Sequence, residues 1–164
     1  MNKINKFLMI GFNLKNYMLT NFITCVTVPL IELKLVQKSD VDFLYEILSE
    51  RTPNENISHR EMPTYKKHAK FVLSKPYKKW YVIYYKKQKF GSIYLTNLNE
   101  IGIHFKKNRI PDSLIIKCLD LLISKNREKL FLINISPKNK KLLKIIKKNK
   151  FKLIQYTYEL QISG

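Results

Sequence analysis

The chain is poor in the residues that build tight backbone cradles and covalent frameworks. Its 164 residues hold four glycines, two cysteines and, at position 69, its one alanine. Cys25 and Cys118 are far apart and belong to no CxxC or Cys/His cluster, so neither a disulfide scaffold nor a zinc site is expected, and a reducing cytoplasm fits. Long apolar runs are also missing. The uncharged stretch over residues 16–31 falls short of the roughly 20 residues a membrane span needs, and Thr20, Asn21, Thr24 and Thr27 dilute it. Lys3, Lys6 and Lys15 lie ahead of it, but "FLMIGF" is short and no A-x-A-like site follows, which argues against a secretory signal. Residues 1–29 are therefore expected to be an extension of unknown role, and residues 30–164 a single domain with no membrane partner, monomeric or homodimeric.

Acidic residues are scarce as well, 12 against 31 basic ones, giving a formal charge of +19. Such a surface suits phosphate-bearing partners, because it releases their counterions. Yet 27 of the 31 are lysine, and Lys, Ile and Asn together fill 61 positions. All three have AT-rich codons, so base composition accounts for much of the charge. A basic nucleic-acid-binding module stays open on the lysine-rich segment 139–149, without a stacking surface or known motif to support it.

What is present is an alternation of strand and helix periods. "LIELKLV" (30–36) alternates like a half-buried strand. Ser39 and Asp40 offer caps for a helix over 41–51, with Val41, Leu44, Tyr45 and Leu48 on one face. Thr64 offers a cap for a second helix over 64–74, ended by Pro76. Three strand patterns follow, 80–86, 90–97 and 100–107, with connections short enough for an antiparallel meander. Trp80 and Tyr81 read as core residues. The helix beginning near Pro111 shows one narrow polar stripe, Ser113, Lys117, Asp120 and Ser124, and is expected to be buried on most sides. "LFLINIS" (130–136) reads as a strand covered on both faces. A helix over 139–149 turns Leu142, Leu143, Ile145 and Ile146 inward, and "FKLIQYTYEL" (151–160) is expected to close the chain as a strand, with Tyr156 and Tyr158 packing. The order is β-α-α-β-β-β-α-β-α-β, an α/β (α+β) fold with a mixed, mostly antiparallel central sheet flanked by helices.

That order, with "FGSIYLTNLNEIGIHF", "LINISPKNKKLLKIIKKNKF" and "FKLIQYTYEL", resembles the GNAT superfamily of acyl-CoA-dependent N-acetyltransferases over residues 30–160. The most specific element is Asn139 opening a helix and Phe151 opening the last strand, with Lys150 where the family has glycine. The resemblance implies acetyl-CoA as co-substrate, held by the fourth strand and the following helix, with a glycine-rich loop between them cradling the pyrophosphate. Here Ile110, Pro111, Asp112, Ser113, Leu114 and Ile115 occupy that loop. Both glycines are missing, Pro111 removes a donor, and Asp112 places a carboxylate where an anion would bind. Lys106, Lys107 and Arg109, with the Ser113 hydroxyl, are candidates to replace the cradle; Pro111 and Asp112 are equally ordinary helix-start residues of a non-catalytic GNAT-like domain.

The resemblance also implies direct transfer of an acetyl group to a primary amine, of a small metabolite or an amino sugar. Glu100 is the candidate general base, and His104 shares its strand face by the period of two and is a candidate relay. Phe105, Asn134 and Asn139 join the cofactor side. His59 and Arg60, with Glu61 and His68 nearby, flank the acceptor side. The family's thiolate-protonating tyrosine would fall near Ile146, which leaves the acid unassigned.

Overall fold

The structure, a computed structural model, describes residues 31–52, 61–106, 110–158 and 160. Five strands form one sheet in the order β1 (Ile31–Leu35), β2 (Lys79–Tyr85), β3 (Gln88–Leu95), β4 (Glu100–Phe105) and β5 (Leu132–Ile133). The first four are antiparallel neighbours, and β5 runs parallel to β4. Lys86 and Lys87, both at positive φ, make the tight β2–β3 turn, whose twist suits a two-residue hairpin.

Helices cover both faces, because the strands bury both. Tyr81, Ile83, Ile93, Leu95, Ile101 and Ile103 project toward α3 (Asp112–Lys125) and α4 (Lys140–Lys148), meeting Ile115, Cys118, Leu119, Leu122, Ile145 and Ile146. Val82 and the partly buried Trp80 and Tyr84 project the other way, onto Val41, Phe43, Leu44 and Ile47 of α1 (Val41–Ser49) and Val72 of α2 (Tyr65–Leu73). Burying a side chain such as Leu44 or Leu122 contributes about 1.5–3 kcal/mol, so these two clusters hold the sheet in place. The helix starts follow local chemistry. Thr64 Oγ1 accepts a hydrogen bond from Lys67 N, and Asn139 Oδ1 accepts one from Leu142 N at 3.1 Å.

Three expectations need correction. Asp40 does not cap α1: its carboxylate accepts from Gln37 N and pairs with Lys89, because the buried charge needs a cation more than the helix needs a cap. Segment 130–136 yields only the two-residue, half-buried β5 rather than a strand covered on both faces. The closing strand is also missing. Residues 151–158 have no regular structure, and Tyr156 and Tyr158 are exposed rather than packed, since alternation makes a strand only where a partner edge is offered. Residues 1–29, expected to be an extension, lie outside the described residues. Among the described residues no helix is long and apolar enough to cross a membrane.

Candidate functional site

The sheet opens between β4 and β5. Their pairing covers only Glu100 with Leu132 and Ile101 with Ile133, after which the strands part. Gly102 to Phe105 stay paired to β3 alone. Thr96 N donates to Glu100 O and Lys106 N to Phe90 O, so the even-numbered residues of β4 exchange backbone bonds with β3. By the alternation of an antiparallel ladder, the N–H and C=O groups of Ile103 and Phe105 point the other way, into the opening. Among the described residues they form a strand edge that no strand fills.

A cleft of about 830 Å³ occupies this opening. Ile103, Phe105, Ile110, Ile115, Ile133 and Leu142 line its apolar side; Tyr77, Tyr94, Glu100, His104, Arg51 and Glu50 line the face toward α1 and α2.

Glu100 is held from two sides. Its Oε1 accepts from Asn134 Nδ2 at 2.9 Å and its Oε2 from Thr96 Oγ1 at 3.4 Å. Asn134 is exposed at the end of β5, so it satisfies a carboxylate at the cleft mouth rather than sitting in the core. His104 stands two positions further along the same face of β4. Its Nε2 is buried with no hydrogen-bond partner among the described residues. Burial first, and the Arg51 charge second, hold its imidazole well below the usual histidine range, so it is neutral near pH 7.

Between them lies Gly102, opposite Tyr94. A Cβ at residue 102 would overlap Tyr94 Cζ and its hydroxyl oxygen. The missing side chain therefore lets the Tyr94 ring lie across β4, toward the opening. Tyr77 stacks on the outer side of that ring, with centroids 3.9 Å apart and planes within 2°. Burial, and then the neighbouring Tyr94, push the Tyr77 hydroxyl up. Both tyrosines escape sequence reasoning, because the register that sets Tyr94 against a glycine is a tertiary fact.

The other candidates scatter. Lys106 carries its ammonium to Glu46 at 2.7 Å and over the Phe43 ring, toward α1 and away from the start of α3, because it shares the face of Glu100 and His104. Ser113 is exposed and does not line the cleft. Asn139 lines it, with its carbonyl oxygen committed to the cap of α4. His68 is buried under α1 and away from the cleft, so it does not mark an acceptor side there. His59, Arg60, Lys107 and Arg109 lie outside the described residues. Lys141, on α4, was not among the residues singled out in the sequence. Its Nζ donates to the Ile110 carbonyl and lies 3.8 Å from the Asp112 carboxylate, so it reaches from α4 across the cleft to the start of α3. Among the described residues no cluster of His, Cys, Asp and Glu is built to hold a metal.

No known family profile and no curated protein matches the chain. Solved structures do. RimL, a ribosomal-protein alpha-N-protein acetyltransferase in complex with coenzyme A, superposes with a TM-score of 0.63 at 17% identity, over 76% of this chain and 81% of that one. A predicted acetyltransferase from Clostridium acetobutylicum with acetyl-CoA gives 0.56 at 15%, over 80% and 96%. A spermidine N-acetyltransferase, SpeG from Vibrio cholerae, gives 0.56 at 13%, over 74% and 79%. The chain has the fold of the GNAT acetyltransferases.

Proposed function

We propose that the chain is a GNAT-type N-acetyltransferase that moves an acetyl group from acetyl-CoA to the primary amine of a small molecule. The observation that carries this reading is the splay of β4 from β5, which leaves the outward amides of Ile103 and Phe105 beside an open cleft with Glu100 at its mouth. Those amides suit the amide-bearing pantetheine arm of acetyl-CoA, since an extended chain with its own N–H and C=O groups completes an open strand edge. Acetyl-CoA supplies the activated acyl carbon.

Toward the diphosphate, the fit rests on side chains rather than glycines. Pro111 is the N-cap of α3 and its carbonyl accepts from Leu114 N, so only the first amides of the helix remain to meet an anion. The Lys141 ammonium already offsets the Asp112 carboxylate there, and it is the cation placed to meet phosphate oxygens.

Glu100 takes the proton of the attacking amine. Asn134 and Thr96 orient its carboxylate for that role. The net charge of +19 opposes capture of a polycation, which favours a neutral or anionic amine such as an amino sugar over a polyamine.

A second reading, a GNAT-like domain without catalysis, draws on the glycine-free loop and on Ile146, which is buried in the α3 and α4 core where it serves packing alone. Release of free thiol from acetyl-CoA, followed across a panel of amino sugars, amino acids and polyamines, separates the two. The enzyme reading expects amine-dependent release; its absence with every amine while CoA still binds favours the non-catalytic domain.

A further inference from the structure

We propose that Tyr94 is the acid that protonates the departing thiolate, taking a role that Ile146 cannot fill. The inference rests on the acetyl-transfer reading above and assigns a residue to it.

Three observations on the cleft meet at this hydroxyl. First, Tyr94 lines the cleft on the face that also carries Glu100 and His104, and its ring crosses β4 at Gly102, midway between those two residues. The hydroxyl oxygen overlaps the place where a residue 102 side chain would begin, so it lies directly over the strand beside the first outward amide, that of Ile103. Second, Tyr77 fixes the ring by parallel stacking, with centroids 3.9 Å apart. Third, the neighbouring His104 is a poor proton donor, because burial keeps it neutral; its ring centroid is 6.0 Å from that of Tyr94. Among the described residues lining the cleft, Tyr77 and Tyr94 are the phenols on this face of β4, and it is the Tyr94 hydroxyl that lies over the strand at Gly102.

The proton balance is simple. As the acceptor nitrogen bonds to the acyl carbon, Glu100 takes a proton from nitrogen; as the carbon–sulfur bond breaks with its pair on sulfur, Tyr94 gives its proton to that sulfur. The products are an amide and free CoA thiol, and solvent restores the proton to Tyr94 and removes it from Glu100. The arrangement also gives residue 102 a reason to be glycine, since any side chain there displaces the acid.

The test compares wild type with Tyr94→Phe in two measurements. In the first, CoA is bound to each protein and its thiol is titrated by the ultraviolet absorbance of the thiolate. A hydroxyl donating to sulfur favours the thiolate, so the bound thiol ionises at lower pH in wild type than in Tyr94→Phe. In the second, acetyl transfer is measured with acetyl-CoA and with an aryl thioester of acetate, whose thiolate leaves without protonation. Tyr94→Phe is expected to lower kcat for acetyl-CoA by about 10²-fold, in the range of general acid catalysis, with little change in KM and near wild-type turnover of the aryl thioester. Gly102→Ala, whose Cβ would displace the Tyr94 ring, should reproduce the loss. If CoA binds and its thiol titrates identically in both proteins, or both thioesters slow equally, Tyr94 is not the acid although the acetyl-transfer reading stands. If wild type does not bind CoA, that reading fails and this assignment fails with it.

Discussion

Asn134 donates its side-chain amide to Glu100 across 2.9 Å, joining the residue just past β5 to the first residue of β4 at the point where the two strands part. One bond thus orients the candidate base and pins the hinge of the cleft. Glu100→Gln keeps the shape and the bond to Asn134 Nδ2 but cannot accept a proton, and is expected to lower kcat about 10²-fold with the fold intact by circular dichroism. Asn134→Ala leaves the carboxylate in place with one partner fewer, so a loss near tenfold is expected, about one charge-assisted hydrogen bond. Steady-state kinetics of the two variants checks the order.

Lys141 makes a prediction about the donor alone. If its ammonium meets the diphosphate, Lys141→Ala weakens acetyl-CoA binding by roughly tenfold or more, the worth of a hydrogen bond between charged groups. Acetyl-pantetheine, which carries no phosphate, should bind both proteins equally. Calorimetric titration of the two ligands gives the comparison, and equal losses for both would assign Lys141 to holding α4 against α3 instead.

Lys150 follows Asn149, the C-cap of α4, with a φ of 65°, the left-handed region where a side chain is strained. Glycine relieves that strain at some cost in unfolded-chain entropy, so Lys150→Gly is expected to stabilise the protein by roughly 1 kcal/mol. For a chain of this size that raises Tm by about 2–4 °C. A lower Tm would show that the lysine stem contributes more to packing than its backbone costs.

This position shows how far the sequence can be read. The departure from glycine at 150 was visible as a residue type, and the backbone there has the conformation that glycine favours. The helices were legible because each carries its own period and cap: Thr64 and Asn139 cap where they were expected to. The meander was legible because its connections are short. The ends of the sheet were not. Segments 130–136 and 151–160 carry strand-like patterns, but β4 offers β5 only two pairs and nothing pairs with 151–158 among the described residues. Site chemistry was half legible. Glu100 and His104 share a face as the period of two requires, whereas the bond to Asn134, the Tyr94 ring over Gly102 and the reach of Lys141 depend on which elements meet, and no local pattern records that.

The buried histidines predict a pH dependence of stability. Burial depresses both His104 and His68 in the folded state, so the unfolded chain takes up protons first as pH falls. Their contribution is fully present above the unfolded histidine value, about 6.5, and is lost progressively below it toward the depressed folded values, so stability rises with pH across that window. Urea unfolding at a series of pH values should show this slope, and His104→Gln should flatten it. An unchanged slope would mean that the imidazole is solvated in the folded protein.

Cys118 is wholly buried, and burial pushes its thiol up to about 12. A thiol reagent should therefore label it, as located by peptide mass spectrometry, only after denaturant is added. Labelling in the native protein would mean that the α3 core opens readily.

The account depends on the opening between β4 and β5 receiving the donor. Thermal unfolding with increasing acetyl-CoA measures this most directly, because a ligand that binds only the native state must stabilise it, by about 2.7 kcal/mol at a hundredfold excess over Kd. A Tm that climbs by several degrees with acetyl-CoA is the expected result. A Tm that stays level up to millimolar acetyl-CoA would contradict the account and leave only the fold.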